Sequence, residues 1–288
     1  MKSYQLTAIQ APVGAIYTYC YLLETAHFVF LIDSAVASSQ ALVEEHLEKA
    51  DPAKRLIILN THGHWDHTGL NGYLQRTRGA LVGAHLYARK WMSDKDFHFT
   101  TLYTSLLSQF PYTEEKKELF YRECGEPALQ NLCFAGGEIF EDDGFELHVI
   151  HTPGHSNDSV CYYEKNSRAL FCGDSLQGYG VLGNLPFYCD AALYRKTVET
   201  MACCDAANVY GGHCIREGES EAEAFLRECV DGFWQNDWVL REVLEGRDRS
   251  KLTLTELAEE VAARLRVINN IQPITTVRAQ LKFIEDEY

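Results

Sequence analysis

Leu56-Ile57-Ile58-Leu59-Asn60-Thr61-His62-Gly63-His64-Trp65-Asp66-His67-Thr68-Gly69 decides how this chain is read. Its opening apolar run predicts a buried strand, and the run stops at three histidines and an aspartate. Imidazole and carboxylate suit zinc, iron or manganese, and alternate positions beyond a strand end project the same way. One ion can take His62 and His64, while Asp66 and His67, displaced by the turn, serve a second beside it. A merely solvated loop gives no reason for that ordered spacing.

Working outward, three more predicted strands end in ligand-type residues. Pro153-Gly154 makes a turn that throws His155 off a strand end, Ala169–Gly173 leads to Asp174, and Asn208–Tyr210 leads through Gly211-Gly212 to His213. The ordered set His62-x-His64-x-Asp66-His67, Thr152-Pro153-Gly154-His155-Ser156, Phe171-Cys172-Gly173-Asp174-Ser175 and Gly211-Gly212-His213 resembles the signature of the metallo-β-lactamase fold superfamily. The resemblance implies an α/β fold, a four-layer αββα sandwich. On it, residues 1–215 form the catalytic domain, interrupted by a helical insertion at about 86–132, and 216–288 form a helical appendage. It further implies that His62, His64 and His155 hold one metal ion, Asp66, His67 and His213 the other, and Asp174 bridges both. The implied cofactors are two divalent ions, zinc foremost, with iron and manganese as alternatives. A hydroxide shared by them is the implied nucleophile toward a carbonyl ester or thioester, with Asp66 as ligand and orienting group.

Departures from better-known members narrow the expectation. True β-lactamases of this fold lack the bridging acid that Asp174 supplies here, so antibiotic hydrolysis is set aside. Glyoxalase II-type thioesterases and acyl-homoserine lactonases share all seven ligands, but the lactonases carry a tyrosine where this chain has Gln177. His155-Ser156-x-Asp158 with Leu170-Phe171-Cys172-Gly173-Asp174 and the helical tail resembles the quinolone-signal response thioesterase-like branch, which puts acyl thioesters first. A lactonase, a phosphodiesterase or nuclease, and a non-catalytic metal-bound regulator are the alternatives.

Bulk properties bound the rest. The chain has 288 residues, 46% hydrophobic, enough for one large core, and a net charge of −15 without a basic strip, which disfavours a nucleic-acid partner. No apolar run nears the ~20 residues of a membrane span, and the N-terminus lacks a secretory core. A cytoplasmic protein acting on a small molecule is expected. Ten scattered cysteines without a Cys-x-x-Cys pair read as reduced thiols.

Other residues carry weaker signals. Asp33, at the end of the Phe28–Ile32 run, either caps the following helix or stands near the metals. Ser38–Lys49 and Thr68–Arg76 have helical spacing, His46 being read as exposed. His85, His148 and His151 are read as structural, and His98 as a lone histidine without a catalytic role. Phe97, Phe99, Tyr103 and Phe110 either shape a pocket or fill the insertion's core. Glu141-Asp142-Asp143-Gly144 is read as a hairpin turn, and Gly178–Asn184 as a flexible rim. The tail beyond 215 is expected to be all-helical, with Thr253 as a cap, and either to dimerise or to cover the pocket.

Overall fold

A computed structural model describes residues 3–14, 16–104, 113–180, 185–267 and 271–286. The first sheet contains β1 (Gln5–Val13), β2 (Ile16–Glu24), β3 (Phe28–Ile32), β4 (Arg55–Leu59), β5 (Leu81–His85) and β6 (Leu132–Phe134), paired in that order. The first three are antiparallel, and β3 through β6 are parallel. The second sheet contains β7 (Ile139–Asp142), β8 (Phe145–His151), β9 (Val160–Glu164), β10 (Ala169–Gly173), β11 (Asn208–Gly211) and β12 (Ile215–Glu217), again paired in sequence, with only β10 and β11 parallel.

The two-residue period of a strand explains the layers. Phe30, Ile32, Ile57 and Leu59 point between the sheets, where they meet Phe145, Leu147, Tyr162 and Phe171. Val29, Leu31, Leu56 and Ile58 point outward, under Val43 and Leu47 of α1 (Gln40–Leu47). Strands covered on both faces read as unbroken apolar runs for this reason. After β4 come α2 (Trp65–Thr68) and α3 (Asn71–Arg78), and the insertion supplies α4 (Arg89–Ser93), α5 (Lys95–Phe99) and α6 (Glu114–Glu123). On the far side, Leu170 and Cys172 lie beneath α7 (Ala191–Met201), α8 (Glu219–Leu244), α9 (Leu254–Leu265) and α10 (Ile271–Asp286), sharing one apolar cluster with Tyr194, Phe225, Phe233, Val261 and Phe283. The αββα sandwich is thus formed, with the helical tail packed on its second sheet. Thr253 caps α9 in a reciprocal pair with Glu256.

Several local expectations change. The helix expected over Thr68–Arg76 breaks between α2 and α3, because Gly69 N–H donates to the Ala35 carbonyl (2.8 Å) and Leu70 N–H to the Ser34 hydroxyl (3.2 Å). The hairpin turn tightens to Asp143-Gly144, both left-handed (φ 40° and 82°), since β7 continues through Asp142. His46 is half-buried, its Nδ1 against the Leu42 carbonyl at 2.8 Å. Gly178 and Tyr179 are pinned to α8, their N–H groups donating to Cys229 Sγ (3.2 Å) and Glu228 Oε1 (3.1 Å), while 181–184 lie outside the described residues. Phe99 packs with Phe120 and Tyr121 in the insertion's core. Phe110 and the Tyr103 side chain lie outside the described residues.

Candidate metal centre

Four strands end on one edge of the sandwich, and each releases ligand-type side chains there. β4 gives His62, His64, Asp66 and His67, β8 gives His155, β10 gives Asp174, and β11 gives His213. His155 Nε2 lies 3.2 Å from His62 Nε2 and 3.0 Å from His64 Nδ1. His67 Nε2 lies 3.6 Å from Asp66 Oδ2 and 3.5 Å from Asp174 Oδ1, and His213 Nε2 lies 3.7 Å from Asp66 Oδ2 and 3.2 Å from Asp174 Oδ2. Asp174 Oδ2 is also 3.8 Å from His155 Nε2, so one carboxylate reaches both groups. All seven sequence-predicted residues meet.

The far side of most rings is held. His62 Nδ1 faces the Thr61 hydroxyl (3.1 Å), His67 Nδ1 donates to Asp33 Oδ2 (2.8 Å), His155 Nδ1 to the Phe187 carbonyl (3.0 Å) and His213 Nδ1 to the Tyr17 carbonyl (2.7 Å). Such outer contacts fix a ring's tautomer and orientation. Asp33 also accepts from Thr61 N–H and Oγ1–H, both at 2.8 Å. It therefore does not cap the following helical turn, which begins from Val36. β3 and β4 are parallel with Ile32 opposite Leu59, and that register sets Asp33 beside the start of the motif.

Electrostatics divide the cluster. Burial and the neighbouring imidazoles push the His62 and His64 pKa values well down, and burial lowers His155 too, so their lone pairs stay free. Burial also penalises protonated His67 and His213, but carboxylates outweigh it: Asp66, Asp33 and Asp174 hold His67 well above the imidazole range, and Asp174 with Asp66 pushes His213 up to about 9. Against its own burial, Asp174 is held well below the usual carboxylate range by His213 and His67. The carboxylates thus favour positive charge on the His67 and His213 side of the cluster.

A metal fits this donor set on structural grounds. His67 Nε2 and Asp174 Oδ1 are buried without a hydrogen-bond partner in the protein and face each other. The gaps of 3.2 and 3.0 Å from His155 Nε2 to His62 and His64 approach the ~3.3 Å edge of a tetrahedron about an ion ~2.0 Å from each nitrogen. Gly212 makes room, since a Cβ there would meet Asp174 Oδ1 at 2.2 Å and His67 Cε1 at 2.7 Å.

Other histidines stay apart. His85 stacks on His151, ring centroids 4.2 Å apart, and His148 Nε2 bonds Glu146 at 2.6 Å. His98 is nearer than expected, its ring 6.1 Å from that of His64 inside a box of Trp91 and Phe120. Burial pushes its pKa down to about 4. Two neighbouring cavities border the centre. One, about 190 Å³, is walled by Val13, Ile16, Trp65, Leu102 and Phe187 over Asp66, Asp174 and His213. The other, about 290 Å³, shares His64, Leu102, Phe187 and Thr275 and extends past Trp91 and Leu193 to Arg278.

Residues 13–213 match the pattern of the metallo-beta-lactamase superfamily. The chain belongs to that superfamily. It is 29% identical over 151 residues to the human acyl-coenzyme A thioesterase MBLAC2, covering 52% of each chain. It is 24% identical over 156 residues to hydroxyacylglutathione hydrolase of Pelagibacter ubique, covering 54% of this chain and 50% of that one. The chain thus spans about half the length of these two relatives. A metallo-beta-lactamase family protein of Thermus thermophilus shares the fold across 98% of this chain and 93% of its own, with a TM-score of 0.78 at 22% identity.

Proposed function

We propose that this superfamily member hydrolyses carbonyl esters, acyl thioesters first, with two divalent ions, zinc foremost. The observation that carries the reading is Asp174, one buried carboxylate within 3.2–3.8 Å of histidines in both ligand groups. On this reading His62, His64 and His155 hold one ion, and Asp66, His67 and His213 the other. Bound there, the ions would supply an acidified water and polarise the substrate carbonyl. The human relative is an acyl-coenzyme A thioesterase and the Pelagibacter one a hydroxyacylglutathione hydrolase, which supports the substrate class.

The chain's own residues then do the following. Asp66 is partly open to the cavity, unlike His62 or His67, and its Oδ2 accepts from Thr18 Oγ1 at 3.4 Å. From there its carboxylate orients the attacking water and can hold the proton that the departing sulfur takes up when the carbon–sulfur bond breaks. Trp65, Leu102 and Phe187 keep bulk water from the carbonyl. The chamber past Trp91 and Leu193 takes the apolar acyl chain. Gln177 braces this wall, its Oε1 accepting Phe187 N–H at 2.8 Å.

Metal analysis of the purified protein, followed by a panel of acyl-coenzyme A thioesters, lactones and bis-aryl phosphodiesters, tests the proposal. Two ions per chain and thioester turnover that stops in Asp66→Ala are expected. Cleavage confined to the phosphodiester would refute the substrate class, and full activity after complete chelation would refute the mechanism.

A further inference from the structure

His64 differs from the other four ligand histidines. Its Nδ1 faces the cluster, so the lone pair there requires the ring hydrogen on Nε2. That Nε2 is buried and has no hydrogen-bond partner in the protein, whereas His62, His67, His155 and His213 each have one on the far nitrogen. Beside it stands His98, 1% exposed, carried by α5 of the insertion. His98 Nδ1 lies 3.2 Å from the Trp91 carbonyl, which accepts only, so the hydrogen is on Nδ1 and Nε2 is a bare acceptor. His98 Nε2 is also buried without a partner. A donor and an acceptor, each orphaned and shielded from solvent, thus sit on adjacent rings whose centroids are 6.1 Å apart and tilted by only 32°. Trp91 and Phe120 pack edge-to-face against His98, with ring centroids 5.0 and 5.1 Å away.

We infer that His98 is the positioning residue for His64, accepting the His64 Nε2–H through one trapped water and so fixing the tautomer that presents Nδ1 to the metal. A buried polar group left unpaired is costly, and a single water with two such partners is the usual remedy. The inference rests on the metal-centre reading and adds a function for the insertion: it completes the outer contacts of the three-histidine group. The role is in holding a ligand, and His98 touches neither substrate nor ion.

The test uses full-length protein with zinc as the probe. Histidine nitrogen NMR of the zinc-loaded wild type should show His64 protonated at Nε2 and His98 at Nδ1, with a slowly exchanging His64 Nε2–H. Chelator competition should show His98→Phe binding one of two zinc equivalents about 10–100-fold more weakly. His98→Gln, whose amide oxygen restores an acceptor, should recover most of that loss, while both variants melt alike without metal. His98→Phe holding both equivalents at wild-type affinity, or a His98 hydrogen found on Nε2, overturns the inference. Equal losses in the Gln and Phe variants overturn it as well, by assigning His98 to packing alone. Wild-type protein that takes up no zinc would instead sink the metal-centre reading on which it stands.

Discussion

Gly212→Ala is the smallest change that should dismantle the centre. The added methyl would lie 2.2 Å from Asp174 Oδ1 and 2.7 Å from His67 Cε1, against the ~3.5 Å at which such atoms are comfortable. Relief requires about 1 Å of retreat by one of them. The glycine itself cannot yield, because its N–H donates to the Gly173 carbonyl at 2.8 Å and its carbonyl accepts Tyr19 N–H at 2.7 Å. Overpacking of this kind costs about 1–3 kcal/mol of stability, and a ~1 Å misplacement of reacting groups costs on the order of 10²-fold in rate. Metal stoichiometry by elemental analysis, denaturant melts and thioester turnover read the three effects separately. Gly79→Ala is the control: Gly79 ends α3 at φ +63° with open space around it, so the variant should lose about 1 kcal/mol while keeping both metals. Two ions bound at wild-type affinity in Gly212→Ala, with turnover within a few-fold, would refute the reasoning.

Asp33→Ala strips the acceptor from His67 Nδ1, Thr61 N–H and Thr61 Oγ1–H in a buried pocket. A loss of about 3–5 kcal/mol in denaturant melts is expected, and a loss under 1 kcal/mol would mean the bonds are dispensable. Leu193→Trp, in the second cavity, should raise KM for long acyl thioesters while leaving short ones unchanged, and equal effects on both would place the acyl chain elsewhere. His27 and Asp142 tie the β2–β3 turn to the β7–β8 hairpin at 2.6 Å. The hydrogen bond to Asp142 raises the His27 pKa, while Asp142, against its desolvation, is lowered by bonds from Thr25 and His27. The tie is therefore complete below the ordinary imidazole value of ~6.5, fades as pH rises through the raised His27 value, and fades at the acid end as pH falls through the lowered Asp142 value. His27→Gln should lower the melting temperature near about pH 5.5 and converge with wild type in alkali; a gap that widens with pH contradicts this.

How much could be read from the sequence follows from where each contact is encoded. The seven clustered side chains were legible because a strand end followed by ligand-type side chains is a local pattern, repeated after β4, β8, β10 and β11. Asp33 stayed ambiguous because an acid after a strand also reads as a cap, and only the parallel register of β3 on β4 places it behind His67. Two outer contacts were illegible in principle, being backbone carbonyls of Tyr17 and Phe187. His98 was visible as a residue but not as a neighbour of His64, since the pair is joined by the fold of the insertion. β12 was missed because three residues are too few to show a period.

The ligands and the pocket walls draw on different parts of the chain, and Phe187 is where they meet. Its carbonyl holds His155 and its N–H is held by Gln177, while its neighbours are tied to the tail: Thr276 Oγ1 donates to the Pro186 carbonyl at 3.1 Å, and Tyr188 hydroxyl to Gln280 at 2.7 Å. α10 thus reaches the three-histidine group through the short segment around Phe187, just as α5 would reach it through His98. The sheets set which atoms can grip a cation, but the two helical segments set how firmly two of its histidines are aimed. Because Leu102, Thr275 and Arg278 from those same segments also wall the cavities beside His64, a sequence change there should disturb His64 and His155 together with the proposed acyl chamber.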